Sequence, residues 1–75
     1  MTPNPAVADR ARLLADAAPG GSLARRTAGC VVVAYSTTRT DAHARKVLAE
    51  LPEDLRAECD ALADEITSKL QEEES

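Results

Sequence analysis

The sequence predicts a small, mainly helical bundle of three to four helices. Three observations lead there. A 75-residue chain has room for one domain. Its apolar residues recur at steps of three and four, most clearly Leu51, Leu55, Cys59, Leu62, Ile66 and Leu70. Its clearest break is Pro19-Gly20-Gly21, with Pro52 re-setting the chain further on. The whole of 1–75 is read as a single domain with frayed ends at about 1–4 and 71–75. The alternative is an α+β domain in which residues 30–35 form one short strand.

The first helix begins at Asn4-Pro5, with Asn as N-cap and Pro in the first helical position. Val7, Ala11, Leu14 and Ala18 follow in phase, with Leu13 and Ala17 beside them, until Pro19-Gly20-Gly21 stops the helix. Ser22 is placed to cap the next element. Over residues 23–35, Leu23, Thr27, Cys30, Val31 and Ala34 share one helical face. Yet Cys30-Val31-Val32-Val33-Ala34-Tyr35 is also the one β-rich run, with Gly29 before it and Ser36-Thr37-Thr38 after it. A strand here needs a mate, either residues 23–27 in a hairpin or the same strand of a second chain. The helical surroundings favour a helix, which is the reading adopted.

Thr38-Arg39-Thr40-Asp41 fits a capping box, and a helix is expected from there to about Glu50, with Ala44, Val47, Leu48 and Leu51 facing inward. Pro52 opens the last helix, and Glu53 and Asp54 fall in its first turn, where the helix dipole favours acids. The acids Glu72, Glu73 and Glu74 oppose the dipole at the other end.

Composition limits the core. Apolar residues are 44% of the chain, but much of that is Ala; Leu, Val and Ile together number 14, Phe and Trp are absent, and Tyr35 is the one aromatic residue. A domain this small buries a modest share of its surface and ordinarily needs a disulfide, a metal or a partner chain to complete it. Two cysteines, Cys30 and Cys59, fall short of a secreted disulfide framework. The residues Met1-Thr2-Pro3-Asn4-Pro5 lack the basic start and apolar run of a signal peptide, and no stretch approaches the ~20 apolar residues of a membrane span. A cytoplasmic protein with reduced thiols and no membrane association is expected. The missing staple is then another protein chain, a second copy in a homodimer or a regulated partner. An Ala- and Arg-rich, Lys-poor composition suits a GC-rich bacterial or phage genome.

Charge is unevenly distributed. Residues 1–46 carry a net +4 and residues 47–75 a net −8. Such runs are ordinarily solvated faces. Clustered instead, Arg25, Arg26, Arg39, Arg45 and Lys46 would form an electrostatic footprint for nucleic acid. Residues 22–29 resemble the first helix and turn of a helix-turn-helix, but the following Val31-Val32-Val33 offers no polar side chain to a base edge. A strand–helix–helix order from Cys30 resembles the ribbon–helix–helix repressors, whose strands need alternating polar residues that this run lacks.

Catalytic signals are weak. His43 is the one histidine, and neither cysteine has an elbow or Gly-rich loop beside it. Cys30, His43 and Cys59 are 13 and 16 positions apart, unlike the closely spaced ligands of a structural zinc site. Cys59 is in phase with Leu55 and Leu62 and reads as a core residue. Glu53-Asp54 and Asp64-Glu65 diverge on a helix rather than converge on a substrate. No catalytic, cofactor-binding or metal residue is assigned. The sequence leads to a small non-enzymatic regulatory or adaptor protein that binds another protein through Leu55, Leu62, Ile66 and Leu70. The alternative is a small dimeric DNA-binding regulator using the basic half.

A thin core makes self-association testable. Sedimentation over a wide concentration range is expected to show a dimer or larger species whose melting temperature rises with concentration. A monomer with concentration-independent melting would leave a different protein as the completing chain.

Overall fold

A computed structural model describes residues 4–74. Among them are four helices, α1 (Asn4–Ala17), α2 (Leu23–Ser36), α3 (Asp41–Leu48) and α4 (Glu53–Glu74), and no strand. The chain is a small helical bundle. Packing is most extensive between α1 and α2; α4 lies against both, and α3 closes on α2 and α4.

Residues 30–35 lie inside α2. As a helix they bury Val31, Ala34 and Tyr35 on one side and leave Val33 outside, 58% exposed. As a strand, alternation would send Val31 and Tyr35 to the face opposite Ala34, and both faces would need covering. One helical face meets the limited apolar supply, so packing outweighs the local β preference of the three valines.

On α1, Val7, Ala8 and Ala11 are buried and Arg12 and Leu13 face out. Asn4 is fully buried. Its Nδ2 donates to Thr38 Oγ1 at 2.9 Å and to the Thr40 carbonyl at 3.0 Å, so the side chain read as a cap joins α1 to the α2–α3 link. Between α1 and α2, Gly21 takes φ +79°, a left-handed conformation that favours glycine. Ser22 then caps α2, its Oγ accepting from Arg25 N at 3.2 Å.

The cap of α3 differs from the sequence pattern. Thr40, not Thr38, is the N-cap, and its Oγ1 accepts from His43 N at 3.2 Å. Thr38 instead donates to Ala34 O at 2.7 Å and accepts from Asn4. Asp41 stands at the first position of α3, one place from the cap rather than three, and turns to Tyr35. Thr38 alone has an acid three residues on, but its hydroxyl is engaged with Ala34 and Asn4, and Thr40 takes the cap.

Pro52 stands just before α4, and Arg56 N reaches back to its carbonyl at 2.8 Å. Cys59, Ala63 and Ile66 are buried, with Leu62 and Leu70 partly buried against them; Leu51 precedes the helix. α4 continues through Glu74, into the stretch read as frayed. Arg10 of α1 donates to both carboxylate oxygens of Glu73 at 2.8 Å, placing a cation beside the acidic end of the helix. Residues 1–3 and Ser75, also read as frayed, lie outside the described residues.

The core joins three larger side chains, Tyr35, Leu48 and Ile66, to the small ones Ala8, Ala11, Ala34, Ala44, Cys59 and Ala63. The few large groups carry a disproportionate share of the burial. Ile66→Ala, at a site 2% exposed, is expected to lower unfolding free energy by about 2–5 kcal/mol. Leu13→Ala, at a site 65% exposed, should stay within about 0.5 kcal/mol. Urea denaturation of both variants checks the contrast.

Candidate functional site

Arg45, on α3, is bonded through all three of its guanidinium nitrogens. Its Nε lies 2.9 Å from Tyr35 Oη and 3.3 Å from Asp41 Oδ1. One terminal nitrogen lies 2.7 Å from Asp64 Oδ1. The other is 3.5 Å from both the side chain and the backbone carbonyl of Asp60. Tyr35 Oη in turn donates to Asp41 at 2.5 Å. One guanidinium therefore links α2, α3 and α4. Arg45 and Asp41 face each other because they are four apart on α3; Asp60 and Asp64 are likewise four apart on α4.

The five basic residues read as candidate nucleic-acid contacts differ in exposure. Arg25, Arg26, Arg39 and Lys46 are exposed, whereas Arg45 is half-buried and paired with three aspartates. Of the five, Arg45 is the one engaged with aspartates of α3 and α4.

The four leucine-stripe residues also separate. Ile66 belongs to the core, and Leu70 packs partly buried against it. Leu62 and Leu55 border two different surface grooves. The first groove, about 420 Å³, lies between α1, α2 and α4. Leu14 forms one side; Leu23, Ala24, Thr27 and Ala28 form the α2 wall; Glu58, Ala61, Leu62 and Glu65 form the α4 wall. The α4 residues stand at i, i+3, i+4 and i+7 and so share one face. Leu14 and Leu23 are exposed. The two glutamates are the charged groups of this groove, and its remaining lining is apolar apart from Thr27.

Thr27 is 95% buried by its 5% exposure. Its Oγ1 has no hydrogen-bond partner among the described residues. A threonine inside a helix can return its hydroxyl proton to the carbonyl one turn back, as Thr67 does to Ala63 O at 2.9 Å. Thr27 does not make that bond.

The second groove, about 440 Å³, lies between α2, α3 and the start of α4. Cys30, Val33, Val47, Leu51 and Leu55 make it apolar, and Arg26 is its charged group. Leu14, Leu23 and Val33 are the exposed residues, and Thr27 the buried groove-wall residue, that sequence reasoning missed. Periodicity puts Leu14, Leu23 and Thr27 on inward faces, but it cannot tell the middle of a buried stripe from its edge.

Among the described residues, no group of three or more His, Cys, Asp or Glu is placed to hold a metal ion. None of the helices is long and apolar enough to cross a membrane. His43 is exposed. No family model, curated protein or solved structure matches the chain.

Burial, and then the hydrogen bond to Asp41, push the Tyr35 hydroxyl up to about 12 from the ordinary 10.0; the hydrogen bond and positive charge of Arg45 act in the opposite sense. The raised value means that the folded state holds this proton more tightly than the unfolded chain. Its contribution is complete below about pH 10 and is lost as pH rises to about 12. Two units correspond to roughly 2–3 kcal/mol. Urea titrations across this window are expected to show a steeper loss for the native chain than for Tyr35→Phe. Parallel curves would show that Tyr35 is not the group responsible.

Proposed function

We propose that the chain is a non-enzymatic protein-interaction module, of the regulatory or adaptor kind, that seats an amphipathic helix of a partner protein in the α1–α2–α4 groove. The observation that carries this reading is an apolar groove whose charged groups are Glu58 and Glu65. Leu14, Leu23 and Leu62 suit the apolar face of a helix, with anchors at i, i+3 or i+4, and i+7. The two glutamates favour Lys or Arg beside those anchors and disfavour acids. From Glu58 to Glu65 the rise along α4 is about 10 Å, two helical turns, which sets the length of the matching segment.

The nucleic-acid reading has less support. Arg45 is already bonded to aspartates of α3 and α4, and the net charge of −4 disfavours a phosphate backbone.

A designed peptide helix with leucines at i, i+3 and i+7 and flanking lysines is the probe, with a glutamate-flanked twin as control. The lysine peptide is expected to shift the amide resonances of Leu14, Leu23, Ala24 and Leu62. Glu58→Lys with Glu65→Lys should weaken it by tenfold or more and improve the twin. Equal binding of both peptides to the native chain, or shifts confined to Val33 and Leu55, would overturn the assignment.

A further inference from the structure

The two cysteines lie far apart in sequence but meet across the α2–α4 interface. Cys59 is fully buried on α4, and its Sγ donates to the Thr27 carbonyl of α2 at 3.7 Å. Cys30 is one turn beyond Thr27 on the same helix. It packs against the core cluster that contains Cys59 and is near enough to raise the proton affinity of that thiol. The environments differ. Cys30 is half-buried and borders the second groove, so a small oxidant can reach it. Cys59 has no exposed surface.

We propose that Cys30 and Cys59 are a reactive thiol pair that closes to an intrachain disulfide in the folded protein, with a low-molecular-weight disulfide such as oxidised glutathione as oxidant. This inference does not depend on the docking groove. In the first step the Cys30 thiolate attacks one sulfur of glutathione disulfide. A Cys30–glutathione bond forms, the original S–S bond breaks, and one glutathione thiolate leaves. In the second step the Cys59 thiolate attacks Cys30 Sγ, forming the Cys30–Cys59 bond and expelling the second glutathione. The two cysteines lose two electrons and two protons; one glutathione disulfide becomes two glutathione thiols.

The asymmetry sets the order. Attack requires thiolate. Burial first, and then the neighbouring Cys30, push the Cys59 thiol up to about 11, so Cys59 reacts second, as the resolving thiol. Below that value the closing step should accelerate about tenfold per pH unit. The finished bond would fasten α2 to α4 on the wall between the two grooves, since Thr27 borders one and Cys30 the other.

The test uses the full chain, dilute and folded, in glutathione redox buffers, with acid quench and mass analysis. The expected product is monomeric, lighter by two hydrogens, and yields a linked tryptic pair comprising residues 27–39 and 57–69. It should keep its helical circular dichroism and melt about 10 °C or more above the reduced chain. Cys59→Ala should stop at a persistent glutathione adduct on Cys30, and Cys30→Ser should leave Cys59 unmodified. If either variant fails to fold, the rising rate of closure with pH in the native chain remains a separate readout. Intermolecular disulfides, a lasting glutathione adduct on the native chain, or closure only when denaturant unfolds the helices would each overturn the proposal.

Discussion

A single guanidinium sets how α2, α3 and α4 sit together. Arg45 is held by Tyr35 from α2, by Asp41 from its own helix, and by Asp60 and Asp64 from α4. Burial by itself would lower its proton affinity, but the hydrogen bonds to Asp64 and Tyr35 and the charge of Asp41 outweigh that and raise it. The cation also holds acids from two helices close to one another. A short helix such as α3 has little apolar area with which to fix its own position. Ala44 and Leu48 are its buried residues, and a directional charged contact supplies what they lack.

The same scarcity accounts for the grooves. Alanine lets helices approach closely but does not fill the space where they diverge. Where α1, α2 and α4 separate, Leu14 and Leu23 are left partly uncovered; where α2, α3 and α4 separate, Val33 is. In a larger domain further side chains would close such gaps. Here they remain as apolar recesses on either side of α2, with opposite charges at their edges: glutamates on one and Arg26 on the other.

Much of the architecture was legible in the sequence because it rests on local signals. The breaks at Pro19-Gly20-Gly21 and Pro52 bound α1 and α4, Ser22 caps α2, and the Cys59–Ile66 spacing marks the inner face of α4. Whatever depends on contacts between helices was not legible. The local pattern favours Thr38 as the cap, but its hydroxyl is engaged with Ala34 and with Asn4, 34 residues away, and Thr40 caps instead. Arg45 reads as one of several surface cations until α4 brings Asp60 and Asp64 to it. Ile66 and Leu62 read alike on one stripe, although Ile66 lies at the centre of the core and Leu62 at the edge of a groove. The proximity of Cys30 and Cys59 likewise follows from helix packing, which spacing alone does not encode.

The alanine-rich interior also shapes how the fold responds to temperature. The heat capacity of unfolding grows with the apolar surface that becomes hydrated. A core in which Ala8, Ala11, Ala34, Ala44 and Ala63 hold places that larger side chains usually occupy exposes comparatively little of it. A small heat-capacity increment lessens the curvature of the stability curve and broadens its shoulders. This bundle is therefore broad rather than narrow in temperature, its stability declining slowly towards both cold and heat.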